Sequence, residues 1–141
     1  MQEILAFVNH HLALFLTLAI VLILLVILEF IKLKRATTRL TPARLIQLIN
    51  RDKAVVVDIR AIEAFSTGHI TGALSLPLSE LTGKIKKIEK FKSQPIVIVC
   101  AAGMESPKAA TLLAQQGFQV YILNGGIRSW RDAELPLVKG M

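Results

Sequence analysis

Between Ile4 and Leu28 the chain carries no Asp, Glu, Lys or Arg, and from Leu12 to Leu28 only Thr17 interrupts an otherwise apolar run. A helix rises about 1.5 Å per residue, so Leu12 to Leu28 spans roughly 26 Å and the whole uncharged stretch roughly 38 Å, bracketing a hydrocarbon core of about 30 Å. Fourteen of the seventeen residues from Leu12 to Leu28 are Leu, Ile, Val or Phe. At roughly 0.3 to 0.6 kcal/mol each, they favour insertion by about 4 to 8 kcal/mol. A core helix of a soluble domain would keep a polar stripe, and none is visible here. Residues 1–33 are therefore expected to form a transmembrane anchor.

The flanks orient it. Only Glu3 precedes the span, whereas Lys32, Lys34, Arg35, Arg39 and Arg44 follow it. The positive-inside bias then places the N-terminus outside and the C-terminal part in the cytoplasm, with a single pass. A cleaved secretory signal would show a basic start, a shorter apolar core and a small-residue cleavage site, so the segment is expected to stay. His10 and His11, at the outer end, read as interfacial polar residues rather than a metal pair.

Residues 34–40 read as a basic linker and 41–141 as one domain, large enough for a single core. The one cysteine, Cys100, excludes an internal disulfide and suits a reducing compartment, so any resolving thiol must come from another molecule. The net charge of +7 is shared between the two ends of the chain.

Within the domain, apolar strands alternate with helices. Thr41-Pro42 opens a helix to about Ile49. Ala54 to Asp58 reads as a strand, Ile62 to Ser66 as a short helix, and Ala73 to Leu76 as a short strand closed by Pro77. Ser79 is expected to cap a helical stretch marked by Leu81, Ile85, Ile88 and Phe91. A strand to Cys100, a helix from Pro107 to Gln116, a strand Gln119 to Leu123 and a last helix from Gly125-Gly126 complete the order. Continuous apolar strands separated by helices imply a doubly wound parallel α/β sheet, covered on both faces. In such sheets the reactive site lies beyond the carboxyl ends of the strands.

Cys100 is placed there. The strand Ile96-Val97-Ile98-Val99 delivers it into the loop Ala101-Ala102-Gly103-Met104-Glu105, and Ser106-Pro107 is expected to cap and start the next helix. Free loop N–H groups and the positive end of a helix dipole favour a thiolate, so this is where a chain would put a reactive cysteine.

The residues Val57-Asp58-Ile59-Arg60, Phe65 with Gly68-His69-Ile70, Gly72-Ala73, Leu76-Pro77, the strand to Cys100, Gly117-Phe118, and Leu123 with Gly125-Gly126-Ile127 and Trp130 together resemble a rhodanese domain. The resemblance covers about residues 40 to 138. With the anchor in front, the chain is similar to bacterial membrane-tethered single-domain rhodanese-like proteins, which implies the inner membrane as its location. It also implies sulfur transfer: Cys100 would take a sulfane sulfur from a donor as a persulfide and pass it to a thiol acceptor, with proteins as candidates for both. The loop residues Ala101, Ala102, Gly103, Met104, Glu105 and Ser106 would bind the substrate, and Asp58 and Arg60 would tie loops beside the site as a structural pair.

The loop departs from the family's usual Cys-Arg-x-Gly-x-Arg: Ala101 and Glu105 stand where the arginines would be. A carboxylate about 5 Å from a thiolate costs on the order of 3 kcal/mol at an effective dielectric near 20, and it repels thiosulfate. A donor other than thiosulfate is therefore expected. The alternative is a catalytically weakened module that binds a protein at the membrane, with an integral membrane protein as the implied partner. Lys108, one turn into the helix, is the nearest candidate for a compensating charge. Phosphate hydrolysis would need an arginine at the position of Ser106 to clamp the phosphate, so it is set aside.

No cofactor, metal cluster or nucleic-acid pattern is legible. His69 is expected to satisfy backbone groups, and Trp130 to line the core or a pocket. The segment Gly83 to Lys92 carries five lysines against Glu89. It reads as a solvated helix face whose charge would also suit an anionic leaflet.

Overall fold

The computed structural model describes residues 1–36 and 38–140. Thr37, within the linker expected at 34–40, the terminal Met141, and the side chains of Lys32, Leu33, Arg35 and Ala36 lie outside the described residues. The chain divides into two units, Met1–Ile31 and Lys32–Met141.

The first unit holds α1 (Gln2–His10) and most of α2 (Leu12–Ala36), which are separated at His11 (φ −110°, ψ 22°). Leu12–Ile31 is a helical stretch of 20 residues with mean hydropathy 3.1 and no buried residue. It is long and apolar enough to cross a membrane. Its one hydroxyl, Thr17 Oγ1, donates to the Leu14 carbonyl at 2.8 Å, so no polar group of that side chain is left for an apolar surrounding to penalise.

The second unit is built on a five-stranded sheet: β1 (Arg39–Leu40), β2 (Val55–Asp58), β3 (Leu74–Ser75), β4 (Ile96–Val99) and β5 (Val120–Leu123). The order is β1-β5-β4-β2-β3, and all neighbours are parallel. Four helices complete it: α3 (Pro42–Asp52), α4 (Ile62–Thr67), α5 (Ser106–Gln115) and α6 (Gly126–Asp132). Alternate residues of the central strands feed two cores. Val57, Ile96, Ile98 and Ile122 pack with Ala110 and Leu113 of α5, while Val56, Val97, Val99 and Leu123 pack with Leu45 of α3 and Ile127 and Trp130 of α6. The period of two thus explains why β4 is apolar throughout: it is wholly buried, with a helix layer on each face.

Local signals set the helix ends. Thr41 accepts the Arg44 N–H at 3.2 Å ahead of Pro42, and the helix runs on to Asp52, where Lys53 turns left-handed (φ 53°). Two readings are corrected. Residues 39–40, inside the expected linker, form the edge strand β1, paired through Arg39 with Ile122 and Leu40 with Leu123. The helix expected after Ser79 is three separate 3₁₀ turns, Leu78–Glu80, Ile85–Lys87 and Glu89–Phe91. Ile85, Ile88 and Phe91 recur every third residue, which matches three residues per turn rather than 3.6, and Gly83 interrupts the run.

Candidate active site

Strand β4 ends at Val99 and α5 begins at Ser106, so Cys100 opens a loop that closes over its own sulfur. The side chain is buried, with 2% of the residue exposed. The Gly103 N–H donates to Cys100 Sγ at 3.0 Å and Ser106 Oγ lies 3.1 Å from the same sulfur. Gly103 has φ +85°, a left-handed conformation that lets the chain turn back and aim its N–H at the sulfur. Two donors on one sulfur fit an anionic sulfur, because charge-assisted bonds are the stronger kind. The N–H groups of Ala101, Ala102, Met104 and Glu105 meet no acceptor among the described residues and remain available to a ligand.

The role expected of Ser106 is corrected. It is the first helical residue rather than the cap; Glu105 occupies the cap position with helical angles and makes no side-chain capping bond. The hydroxyl of Ser106, wholly buried, is spent on the sulfur instead.

The loop is braced from behind. The Ile127 N–H donates to the Cys100 carbonyl at 2.8 Å and the Arg128 N–H to the Ala101 carbonyl at 3.1 Å, so the start of α6 grips the start of the loop. This approach requires Gly126: a Cβ there would stand 2.1 Å from the Cys100 carbonyl oxygen. From the edge strand, Arg39 reaches across and donates to the Gly103 carbonyl at 3.3 Å. Neither contact was legible in the sequence. The Gly125-Gly126 pair signalled a helix start and formed part of the rhodanese resemblance but pointed to no contact with the loop, and Arg39 read as one linker charge among several.

A cleft of about 390 Å³ opens over the sulfur, lined by Arg60, Ala61, Ala64, Cys100, Ala101, Ala102, Met104 and Glu105. Met104 stands on its rim, 86% exposed. The one lining cation is already engaged. Arg60 donates to both Asp58 carboxylate oxygens (Nε at 3.0 and 3.1 Å, a terminal nitrogen at 2.7 Å) and to the Gly68 carbonyl at 2.7 Å, while Asp58 also takes the Arg60 backbone N–H at 3.0 Å. With that pair neutral, Glu105 is the uncompensated charge among the lining residues. It forms no ion pair among the described residues.

The structure therefore brings Cys100, Ala101, Ala102, Met104, Glu105 and Arg60 to one cleft, with Asp58 paired to Arg60, whereas Gly103 and Ser106 are buried against the sulfur and do not line it. Lys108 is exposed and does not line it. His69 is held away from it: the ring stacks on Phe65 at 3.8 Å, Nδ1 lies 2.8 Å from the Phe65 carbonyl, and its backbone exchanges two hydrogen bonds with Val138. Trp130 lies in the core, its indole N–H donating to the Pro136 carbonyl at 3.0 Å.

Known proteins share this fold. The model of the rhodanese-like domain family matches residues 41–133. The uncharacterized protein YibN of Escherichia coli K12 is 35% identical over 99% of each chain. The thiosulfate sulfurtransferase GlpE of Pseudomonas putida F1 is 39% identical over 66% of this chain and 84% of its own. Among solved structures, a rhodanese-related protein of Thermoplasma volcanium superposes with a TM-score of 0.67 at 29% identity, covering 73% of this chain and 99% of that one.

Proposed function

The chain belongs to the rhodanese-like domain family and is related to thiosulfate sulfurtransferases, and from that premise we propose that it transfers sulfane sulfur through a persulfide on Cys100. The supporting observation is the sulfur itself, seated on the floor of a cleft with two donors aimed at it and four further loop N–H groups unclaimed. In the loading step the Cys100 thiolate attacks the outer sulfur of a donor R–S–SH. The new S–S bond forms as the donor's own S–S bond breaks, and the electron pair leaves on R–S⁻. In the second step an acceptor thiolate attacks the outer sulfur of Cys100, and the Cys100 thiolate is restored. The loop N–H groups would hold the terminal sulfur in its anionic form.

The donor we infer is not thiosulfate but a persulfide carried on a larger molecule, with a protein as the favoured class. Ala101, Ala102 and Met104 give apolar walls, and Glu105 leaves the cleft with an uncompensated negative charge. The acceptor is a thiol. The apolar helix serves, in this reading, as a single-pass anchor in the bacterial inner membrane, with the N-terminus outside and the sulfur-handling unit in the cytoplasm. The basic residues that follow the span support that orientation.

A second reading is favoured by Met104: a rhodanese-like module that docks an integral membrane protein through the exposed rim and transfers little sulfur. One experiment separates them. The full-length protein in neutral detergent is incubated with a protein persulfide or with thiosulfate and weighed intact. A gain of about 32 Da, one sulfur atom, that disappears in Cys100→Ser establishes the transferase; no gain from any donor leaves the docking module. Reporter fusions at the two termini test the orientation.

A further inference from the structure

A second cleft, about 290 Å³, lies at the open edge of the sheet and shares no lining residue with the first. Leu74, Ser75 and Leu76 form one wall, and Lys87, Lys90 and Phe91 another. Strand β3 has a neighbour on one side only. The Leu76 N–H bonds the Asp58 carbonyl at 2.9 Å, so the alternation of a parallel ladder turns the N–H and C=O of Ser75 away from β2. The Ser75 hydroxyl oxygen is shielded from solvent and has no hydrogen-bond partner. The Ser75 side chain lies on the Asp58 face of the sheet, opposite Leu74 and Leu76, so the cleft meets the Ser75 main chain.

The opposite wall is cationic. Lys86, Lys87, Lys90 and Lys92 form no ion pair among the described residues, whereas Lys84 is taken by Glu80. Within the segment only Glu89 opposes them. The Lys90 ammonium stands 5.0 Å from the centre of the Phe91 ring, which places one charge at the cleft. A docked peptide strand fits poorly, because Pro77 has no N–H and the Ala73 N–H is spent on the Ile70 carbonyl at 3.0 Å. Ser75 is then the only main-chain donor on that edge. Lys87, Lys90 and the outward Ser75 N–H instead offer cationic and main-chain donors from the two walls, which suits an oxyanion.

We propose that this cleft binds a phosphate group, held by Lys87, Lys90 and Ser75, with any apolar stem lying against Phe91. The phosphate comes either from an anionic lipid head group or from solution. To test this, the full-length protein is placed in nanodiscs of phosphatidylcholine alone or mixed with phosphatidylglycerol, and separately in neutral detergent with inorganic phosphate. Backbone hydrogen exchange is followed over residues 74–76 and 85–91. Protection that appears only with phosphatidylglycerol identifies the lipid source, and protection by inorganic phosphate identifies the soluble one; both support the site. The double variant Lys87→Gln/Lys90→Gln, exposed and expected to fold normally, should weaken binding by about twenty-fivefold, from two contacts of about fivefold each. No protection under any condition, or protection that persists unchanged in the double variant, overturns the proposal.

Discussion

Replacing Glu105 with arginine tests the field over Cys100 directly. Glu105 lines the cleft without an ion-pair partner among the described residues, and Arg60 is neutralised by Asp58. With the carboxylate about 6 Å from an incoming anion, Coulomb's law gives about 0.7 kcal/mol of repulsion per unit charge at the dielectric of water. The exposure of Glu105 justifies that lower limit. Reversing the sign doubles the difference, to about 1.4 kcal/mol for a monoanion and about 2.8 kcal/mol for a dianion, or about tenfold and a hundredfold in rate. Cys100 is the only thiol, so alkylation reports on it alone. The ratio of the iodoacetate rate to that of uncharged iodoacetamide cancels any change in the nucleophilicity of the sulfur. In Glu105→Arg that ratio should rise about tenfold at low salt, thiosulfate transfer should rise about a hundredfold, and both gains should shrink as salt approaches physiological strength. An unchanged ratio would refute the claim that Glu105 governs which donors enter.

Further outcomes follow from the packing. Gly126→Ala should cost more than about 3 kcal/mol in thermal unfolding and distort the loop, because its Cβ would lie 2.1 Å from the Cys100 carbonyl and its φ is +62°; a melting temperature like that of the parent would show that α6 does not grip the loop. Ser106→Ala should slow iodoacetamide alkylation by about tenfold while changing stability by no more than about 1.5 kcal/mol, and an unaltered rate would remove the hydroxyl from the sulfur's support. Asp58→Ala leaves the Arg60 guanidinium buried without its carboxylate and should destabilise by about 3 to 5 kcal/mol. Arg39→Ala should speed amide exchange at Gly103 selectively, measured by hydrogen exchange, since it releases the one side-chain donor to that carbonyl.

How much of this was legible depended on whether the signal was local. The strands were readable because a sheet covered on both faces demands unbroken apolar runs such as Ile96–Val99. The loop after Cys100 was readable because strand, glycine and proline punctuate it in order. Ser106 was misread because a serine before a proline satisfies the rules for a cap, whereas here a buried sulfur competes for the hydroxyl and wins. The lysine segment was misread because spacings of three and four are hard to separate over so few residues, and Ile85, Ile88 and Phe91, each three apart, fit the tighter turn. Arg39 and Gly126 were invisible as site residues because their effect depends on which strand lies beside which, a property of topology and not of any sequence window.

The grip of α6 on the Cys100 and Ala101 carbonyls divides the loop into two jobs. Its rear surface, fixed through main-chain atoms and a residue with no side chain, decides where the sulfur stands. Its front, made by the side chains of Ala101, Ala102, Met104 and Glu105, decides what the sulfur meets. Substitution at the front is thereby uncoupled from rigidity at the rear, so one scaffold can change customers without rebuilding its nucleophile's seat.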